Sequence, residues 1–201
     1  MKKIIALVLA VSSFVSEANS LPKLAIKIPT RARPAQFFSV LDTYYRNLSG
    51  KLPYQFIISC DEDDTTMNND ACRAKLATYP NLHVSFKPRV SKVEAYNRDL
   101  DTVDFDILLV TSDDAVPVAK GYDLVIADTM AENFPDFDGV INFHDGYVSS
   151  QCNTLPVMGK KYFDRFGYVY HPSYTALACD VEFTLVARAL GKEAICNTII
   201  I

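Results

Sequence analysis

Two runs of acidic residues each follow an apolar segment. Asp61-Glu62-Asp63-Asp64 comes after residues 54–60, and Ser112-Asp113-Asp114 comes after residues 105–111. Carboxylates set side by side repel one another and are costly to take out of water, so such a cluster needs a cation or solvent around it. Hard oxygen ligands of this kind suit Mg2+ or Mn2+, ions that keep coordination positions open for water or a phosphate. Asp113-Asp114 carries more weight than the first cluster because it directly ends a strongly apolar run. The acids of 61–64 read equally as solvated turn formers. They are no EF-hand, because the loop lacks glycine at its sixth position and glutamate at its twelfth. A third polar stretch, Pro29-Thr30-Arg31-Ala32-Arg33, follows residues 24–28 and brings two arginines. These either meet a phosphate-bearing ligand or pair with the acids of 61–64.

Such residues work together only if the fold carries them to one place. Apolar, β-branched runs predict strands at 24–28, 54–60, 82–86, 105–111 and 139–143. Between them, helical spacing predicts helices at 34–48, 66–78, 91–100, 121–133 and 180–190. Pro34 suits a first helical turn. Ser91 with Glu94 makes a capping box, and Gly191 suits a C-cap. In the last helix Val181, Leu185, Val186 and Ala189 form the apolar face expected to dock on the sheet. Repeated β-α-β units with continuous apolar strands imply a single α/β domain, a mostly parallel sheet with helices on both faces. In such sheets ligands bind at the carboxyl ends of the strands, where all three polar stretches fall.

Composition narrows the choice. The 201 residues, 49% hydrophobic and 22% charged, suit one globular domain. A formal net charge of -4 makes a poor partner for a phosphate backbone, so nucleic-acid binding is disfavoured. With 7 glycines and no glycine-rich motif, phosphate charge must be met by lysine, arginine or metal. Five cysteines without a C-x-x-C pair exclude zinc ribbons and thioredoxin-type sites, and an odd number leaves at least one thiol unpaired within the chain.

The first twenty residues stand apart. Met1-Lys2-Lys3, an apolar run from Ile4 to Val15, and Ala18-Asn19-Ser20 make the pattern of a secretory signal. The run is shorter than the ~20 residues a membrane-spanning helix needs. A buried N-terminal element is the other reading. The signal-like reading points to export or the secretory pathway, with residues 21–201 as the folded domain and membrane association left open.

Taken in order, the polar motifs resemble the GT-A fold glycosyltransferases, particularly the family 2-like nucleotide-sugar enzymes. The residues that carry the resemblance are Ile28-Pro29-Thr30-Arg31, then Asp61, then Lys92-Val93-Glu94-Ala95-Tyr96-Asn97 as a K-x-x-A-x-N helix. Ser112-Asp113-Asp114 stands where the acidic metal motif belongs, as S-D-D rather than D-x-D. Gly121-Tyr122-Asp123, Phe166-Gly167-Tyr168, His171-Pro172 and Cys179-Asp180 continue the order.

The resemblance implies a metal-dependent transfer of sugar from a nucleotide-sugar donor, a UDP-sugar foremost, to a glycan or other hydroxyl acceptor with inversion. It places Pro29, Thr30 and Arg31 on the base and ribose, and Asp61 on the uracil ring or its equivalent. Lys92 and Asn97 face the nucleotide and its diphosphate, and Asp113 the ribose or sugar. Asp114 ligates Mn2+ or Mg2+, with His171 as a third ligand. Asp145 binds the acceptor, and Asp180 is the general base. It also implies a compartment that holds nucleotide sugars. Rival readings stand beside these. Lys92 also suits a solvated helix face, Asp180 a helix-dipole partner, Glu182 the base, and His171 a packed loop histidine. The aromatic residues of 163–174 also suit the core. At the level of function the alternatives are a non-catalytic nucleotide- or glycan-binding protein on the same scaffold, and a nucleotidyltransferase. The second of these expects a glycine-rich loop that residues 28–34 lack.

Overall fold

The structure is a computed structural model that describes residues 21–146 and 152–201, so the signal-like stretch 1–20 lies outside the described residues. The chain runs β1 (Leu24–Thr30), α1 (Pro34–Asn47), β2 (Tyr54–Asp61), α2 (Asp70–Leu76), β3 (Leu82–Lys87), α3 (Lys92–Asn97) and β4 (Ile107–Val110). It continues through α4 (Tyr122–Asn133), β5 (Val140–Phe143), β6 (Val157–Gly159), α5 (Lys160–Phe166), α6 (Cys179–Ala189) and β7 (Glu193–Cys196). The strands make one seven-stranded sheet in the order β3-β2-β1-β4-β6-β5-β7. All pair in parallel except β6, which runs antiparallel to β4 and β5.

The inner strands are apolar on both sides because both faces are covered. Leu24, Ile26 and Ile28 of β1, with Ile107 and Leu109 of β4, join the core under α1 and α4, where Phe37, Leu41, Tyr44, Tyr122 and Ile126 are buried. Ala25, Leu108 and Val110 point the other way, into a second core with Val93 and Tyr96 of α3, Tyr162 of α5 and Phe183 of α6. The aromatic residues Phe163 and Tyr170 are core in this layer. Each layer thus clamps one set of alternating strand side chains, which holds the strand ends in fixed register.

Local chemistry sets the element boundaries. Helix α1 opens with Pro34 in its first turn. In α3 the Ser91 hydroxyl accepts from the Glu94 amide at 3.1 Å, the expected cap. The helix expected at 66–78 begins only at Asp70. Asp64 first turns the chain by accepting from the Thr66 amide at 3.1 Å, and Asn69 then caps the helix by accepting from the Cys72 amide at 3.0 Å. The face expected for the last helix is also corrected. Val181 and Leu185 are exposed, while Cys179, Phe183, Thr184 and Ala187 are buried. Phe183 is the large ring on that helix, and its burial decides which stripe turns inward. Gly159 at the end of β6 allows no side chain, because a Cβ there would stand 2.1 Å from the Phe137 carbonyl oxygen. No helix among the described residues is long and apolar enough to cross a membrane. All five cysteines are unpaired.

Candidate active site

Strand order reverses between β1 and β4: from β1 the sheet grows through β2 to β3, and from β4 through β6 the other way. That switch point, at the carboxyl ends of the parallel strands, is where doubly wound sheets open a crevice. A cleft of about 800 Å³ lies there. Pro29, Thr30 and Arg31 enter it from β1 and its following loop, Asp61 from the end of β2, and Lys92 from the start of α3. Asp113 and Asp114 reach it from beyond β4, Asp145 from beyond β5, and Asp180 from the first turn of α6.

Two expected site residues are not among the cleft lining. The Asn97 amide donates to the Tyr170 carbonyl at 2.7 Å, and its oxygen accepts from the Val169 and Tyr170 amides at 2.9 and 3.0 Å. That side chain is therefore a strut between α3 and the 169–170 backbone, not a group facing a nucleotide. The expected result for Asn97→Ala is a loss of about 1–3 kcal/mol of stability, from backbone amides left without partners, with nucleotide affinity unchanged. Urea unfolding and a nucleotide titration check both halves, and lost affinity at full stability would return Asn97 to the site. His171 is the other residue outside the lining. Its Nδ1 accepts from the Ser173 amide at 3.2 Å, and its ring packs edge-on against Tyr168 and Tyr174. It packs as a loop histidine and is not among the residues that line the cleft with Asp114.

The acids of 61–64 divide their work. Asp61, nearly buried, accepts from Arg31 at 2.8 Å and from Arg98 at 3.3 Å. Asp63 accepts from the same Nη1 of Arg31 at 2.5 Å and from Nη2 at 3.2 Å, and the guanidinium keeps its carboxyl below the usual range. Asp64 accepts from the Ala32 amide at 2.7 Å, where Ala32 takes the left-handed φ of 60°. Asp64 is thus a turn former and Asp61 a cleft residue.

At the second cluster the Asp113 carboxylate is buried, accepts from the Thr30 hydroxyl at 2.7 Å, and meets the Arg33 guanidinium with its other oxygen. Burial pushes its pKa above the usual range in spite of these partners. Asp114, half exposed, accepts from the Ser112 hydroxyl and from Arg33 at 3.1 Å; with the serine bond the larger cause, these hold its pKa down. Arg33 therefore pairs with Asp113 and Asp114, and not with the acids of 61–64 as one sequence reading had it.

Beneath the cleft lies a buried ionic group that the polar stretches did not announce. Lys27, fully buried in the central strand, donates to the Ser59 hydroxyl and to the Arg98 carbonyl at 2.8 Å, and stands 3.8 Å from Asp99. Asp99 also takes Lys87 at 2.5 Å and the Ser59 and Ser85 hydroxyls. Burial pushes the Lys27 amine down to about 7, with Asp99 the main opposing influence. A lysine inside an otherwise apolar strand was the available signal, since such a charge needs a buried partner. Ser59 and Arg98 line the cleft as well, so this group forms part of its floor.

No family model and no curated protein matches the sequence. Solved structures do match. The mannosyltransferase PcManGT from Pyrobaculum calidifontis, in complex with GDP-Man and Mn2+, is 17% identical with a TM-score of 0.67, over 90% of this chain and 56% of its own. S. aureus TarS 1-349 in complex with UDP is 12% identical with a TM-score of 0.68, over 89% of this chain and 59% of its own. The same protein with UDP-GlcNAc matches at a TM-score of 0.67. The chain has the GT-A glycosyltransferase fold. It spans 56% and 59% of the length of the mannosyltransferase and of TarS 1-349 in complex with UDP.

Among the described residues no three His, Cys, Asp or Glu side chains converge into a ready metal cage. The residues present still fit a divalent ion shared with a ligand. Asp113 and Asp114 are adjacent hard donors at the cleft, and such ions take one or two carboxylates plus substrate phosphates. The described lining carries five basic and five acidic side chains, so a diphosphate entering alone meets no net positive charge.

Proposed function

We propose that the chain binds a nucleotide-sugar donor in this cleft and transfers the sugar to an acceptor hydroxyl by direct displacement with inversion. The observation that supports this most is the arrival of strand-end acids and bases from β1, β2, β4 and α6 in one cleft at the switch point. The donors held by the similar structures, GDP-Man and UDP-GlcNAc, belong to the same chemical class.

In this reading Thr30, Arg31 and Asp61 orient the base and ribose, with Asp61 already fixed between two guanidinium groups. Arg89 and Lys92, which line the same cleft, meet the diphosphate. Asp113 and Asp114 would hold Mn2+ or Mg2+, which would supply Lewis-acid stabilisation of the leaving diphosphate. Asp180 takes the proton of the attacking hydroxyl, and Asp145, braced by a 3.0 Å bond from Thr154, sits on the acceptor side.

The test is thermal unfolding with UDP or GDP, with and without Mn2+. A ligand at a hundred times its Kd adds about 2.7 kcal/mol, which for a domain of this size raises Tm by roughly 5–10 °C. The expected result is such a rise with one nucleotide, larger with Mn2+. No rise with either nucleotide would overturn donor binding. Binding without release of nucleoside diphosphate from any donor sugar, across a panel of hydroxyl acceptors, would leave a binding protein in place of a transferase.

A further inference from the structure

We infer that Arg33 is a built-in competitor of the divalent ion: its guanidinium bridges Asp113 and Asp114, and an ion binds that pair only by displacing it. The inference rests on the reading of Asp113 and Asp114 as the metal pair.

The hydrogen bonds around the two carboxylates carry the argument. Among the described residues, each oxygen takes one side-chain donor. On Asp113 these are the Thr30 hydroxyl and Nη2 of Arg33. On Asp114 they are the Ser112 hydroxyl and Nη1 of Arg33. Two different nitrogens of one planar group thus span two different carboxylates, a geometry that suits guanidinium and not ammonium. Removing the guanidinium frees one oxygen on each carboxylate while Thr30 and Ser112 still hold the other. The freed oxygens belong to adjacent residues and both faced the same group, so they become neighbouring hard donors.

Charge explains why the bridge exists. Asp113 is buried with only 1% of its side chain exposed, and a second carboxylate stands next to it. Without a cation the two carboxylates could not both stay ionised cheaply, since they stand at close quarters and one of them is out of water. Arg33 supplies that cation. It is also built to leave. It sits in the loop between β1 and α1 at the helix N-cap, its side chain makes no cap bond, and that side chain is 46% exposed. A single positive charge gives way to a double one most readily when a diphosphate contributes further ligands. Ion binding is therefore weak without nucleotide and strong with it.

Mn2+ binding without nucleotide, followed by the electron paramagnetic resonance of free Mn2+, tests this directly. Arg33→Gln is expected to tighten Mn2+ by about tenfold, within the usual range of a coupling between two sites. Arg33→Lys, which keeps the charge and loses the fork, is expected to fall between the two. Adding Asp114→Asn to Arg33→Gln should cancel the gain. In Arg33→Ala, free guanidinium ion at low concentration should weaken Mn2+ again by refilling the bridge. Unchanged or weaker Mn2+ binding in a folded Arg33→Gln or Arg33→Ala overturns the inference, as does absence of Mn2+ binding in every variant. Failure of the donor reading shows separately, as a lack of thermal shift with UDP or GDP while Mn2+ still tightens on removing Arg33.

Discussion

Asp180→Asn is expected to keep nucleotide binding and to lose sugar transfer by about 10²–10⁴-fold, the usual contribution of a positioned general base. The carboxylate lies in the first turn of α6 and lines the cleft. One of its oxygens accepts from the Val181 amide at 2.9 Å, which steadies the side chain. The helix beneath it is anchored by the buried Cys179, Phe183 and Ala187. Its Thr184 ties the loop at Asn153 to α6, since the Thr184 hydroxyl accepts from the Asn153 amide at 2.9 Å and donates to the Asp180 carbonyl at 2.7 Å. Glu182, the rival base, turns elsewhere, into a small cavity with Tyr162 and Tyr168. Glu182→Gln is therefore expected to leave transfer near the native rate. Transfer rates at saturating donor, with the product anomer read by nuclear magnetic resonance, decide the matter. Native transfer in Asp180→Asn, or an anomer that is retained, would sink both the residue and the mechanism.

The largest stability effect is expected at Asp99. Asp99→Asn should cost about 3–5 kcal/mol, the usual result of removing one partner from a buried ion pair. The cost is electrostatic, because Asp99 has a left-handed φ of 69°, a conformation asparagine also accepts. Lys27→Met should cost less. The pair is unequal. Burial works to raise the Asp99 carboxyl, but Lys87, Ser59 and Ser85 hold it well below the usual range. Lys27 has far less support, and burial dominates its shift from 10.5 down to about 7. The fold thus needs the carboxylate charged more than it needs the amine charged. Between those two pH values the unfolded chain holds the proton that the folded chain releases, so stability rises with pH there. Below about 7 both states are protonated and the cost of burying the charge is constant. Urea unfolding from about pH 7 up to the onset of thiol ionisation in the unfolded chain, near the ordinary thiol value of 9, should show the rise in the native protein and none in Lys27→Met; above it the buried Cys60 thiol, pushed up to about 12, works in the opposite direction in both. A flat native profile, or an Asp99→Asn variant as stable as the native chain, would show that the buried group is not held by its charges.

The sheet was legible because its strands betray their burial. Residues such as Ile26, Ile28, Ile57, Ile58, Leu108 and Leu109 fill both faces of a strand and leave no polar side for water. Three elements gave no such signal. Strand β6 has three residues and runs against its neighbours, so neither its length nor its direction follows from a β-α-β rhythm. Strand β7 is an edge strand, half exposed. Helix α5 is seven residues of charged and aromatic character, indistinguishable by periodicity from a packed loop. The acids of the cleft were legible for a topological reason: a carboxylate directly after a buried strand must lie at the sheet's edge. Asn97 and His171 lie outside the cleft lining, because motif order gives the element and not the direction of a side chain. Arg33 escaped because its partners are eighty residues away in sequence and one guanidinium away in space.

The strand order also fixes when, during synthesis, the cleft comes into being. Strand β1 pairs with β2 and β2 with β3, so these three form from the first part of the chain to emerge. The other neighbour of β1 is β4, whose Ile107 stands in register with Leu24, so that pairing closes a far longer loop. Closure of such a loop is paid in chain entropy before any contact rewards it. The Thr30–Asp113 bond and the Arg33 bridge cross that same seam. A nascent chain that has released only β1 to β3 holds half of the crevice, with Arg31 already paired to Asp61 and Asp63 but the carboxylate partners of Arg33 still inside the ribosome.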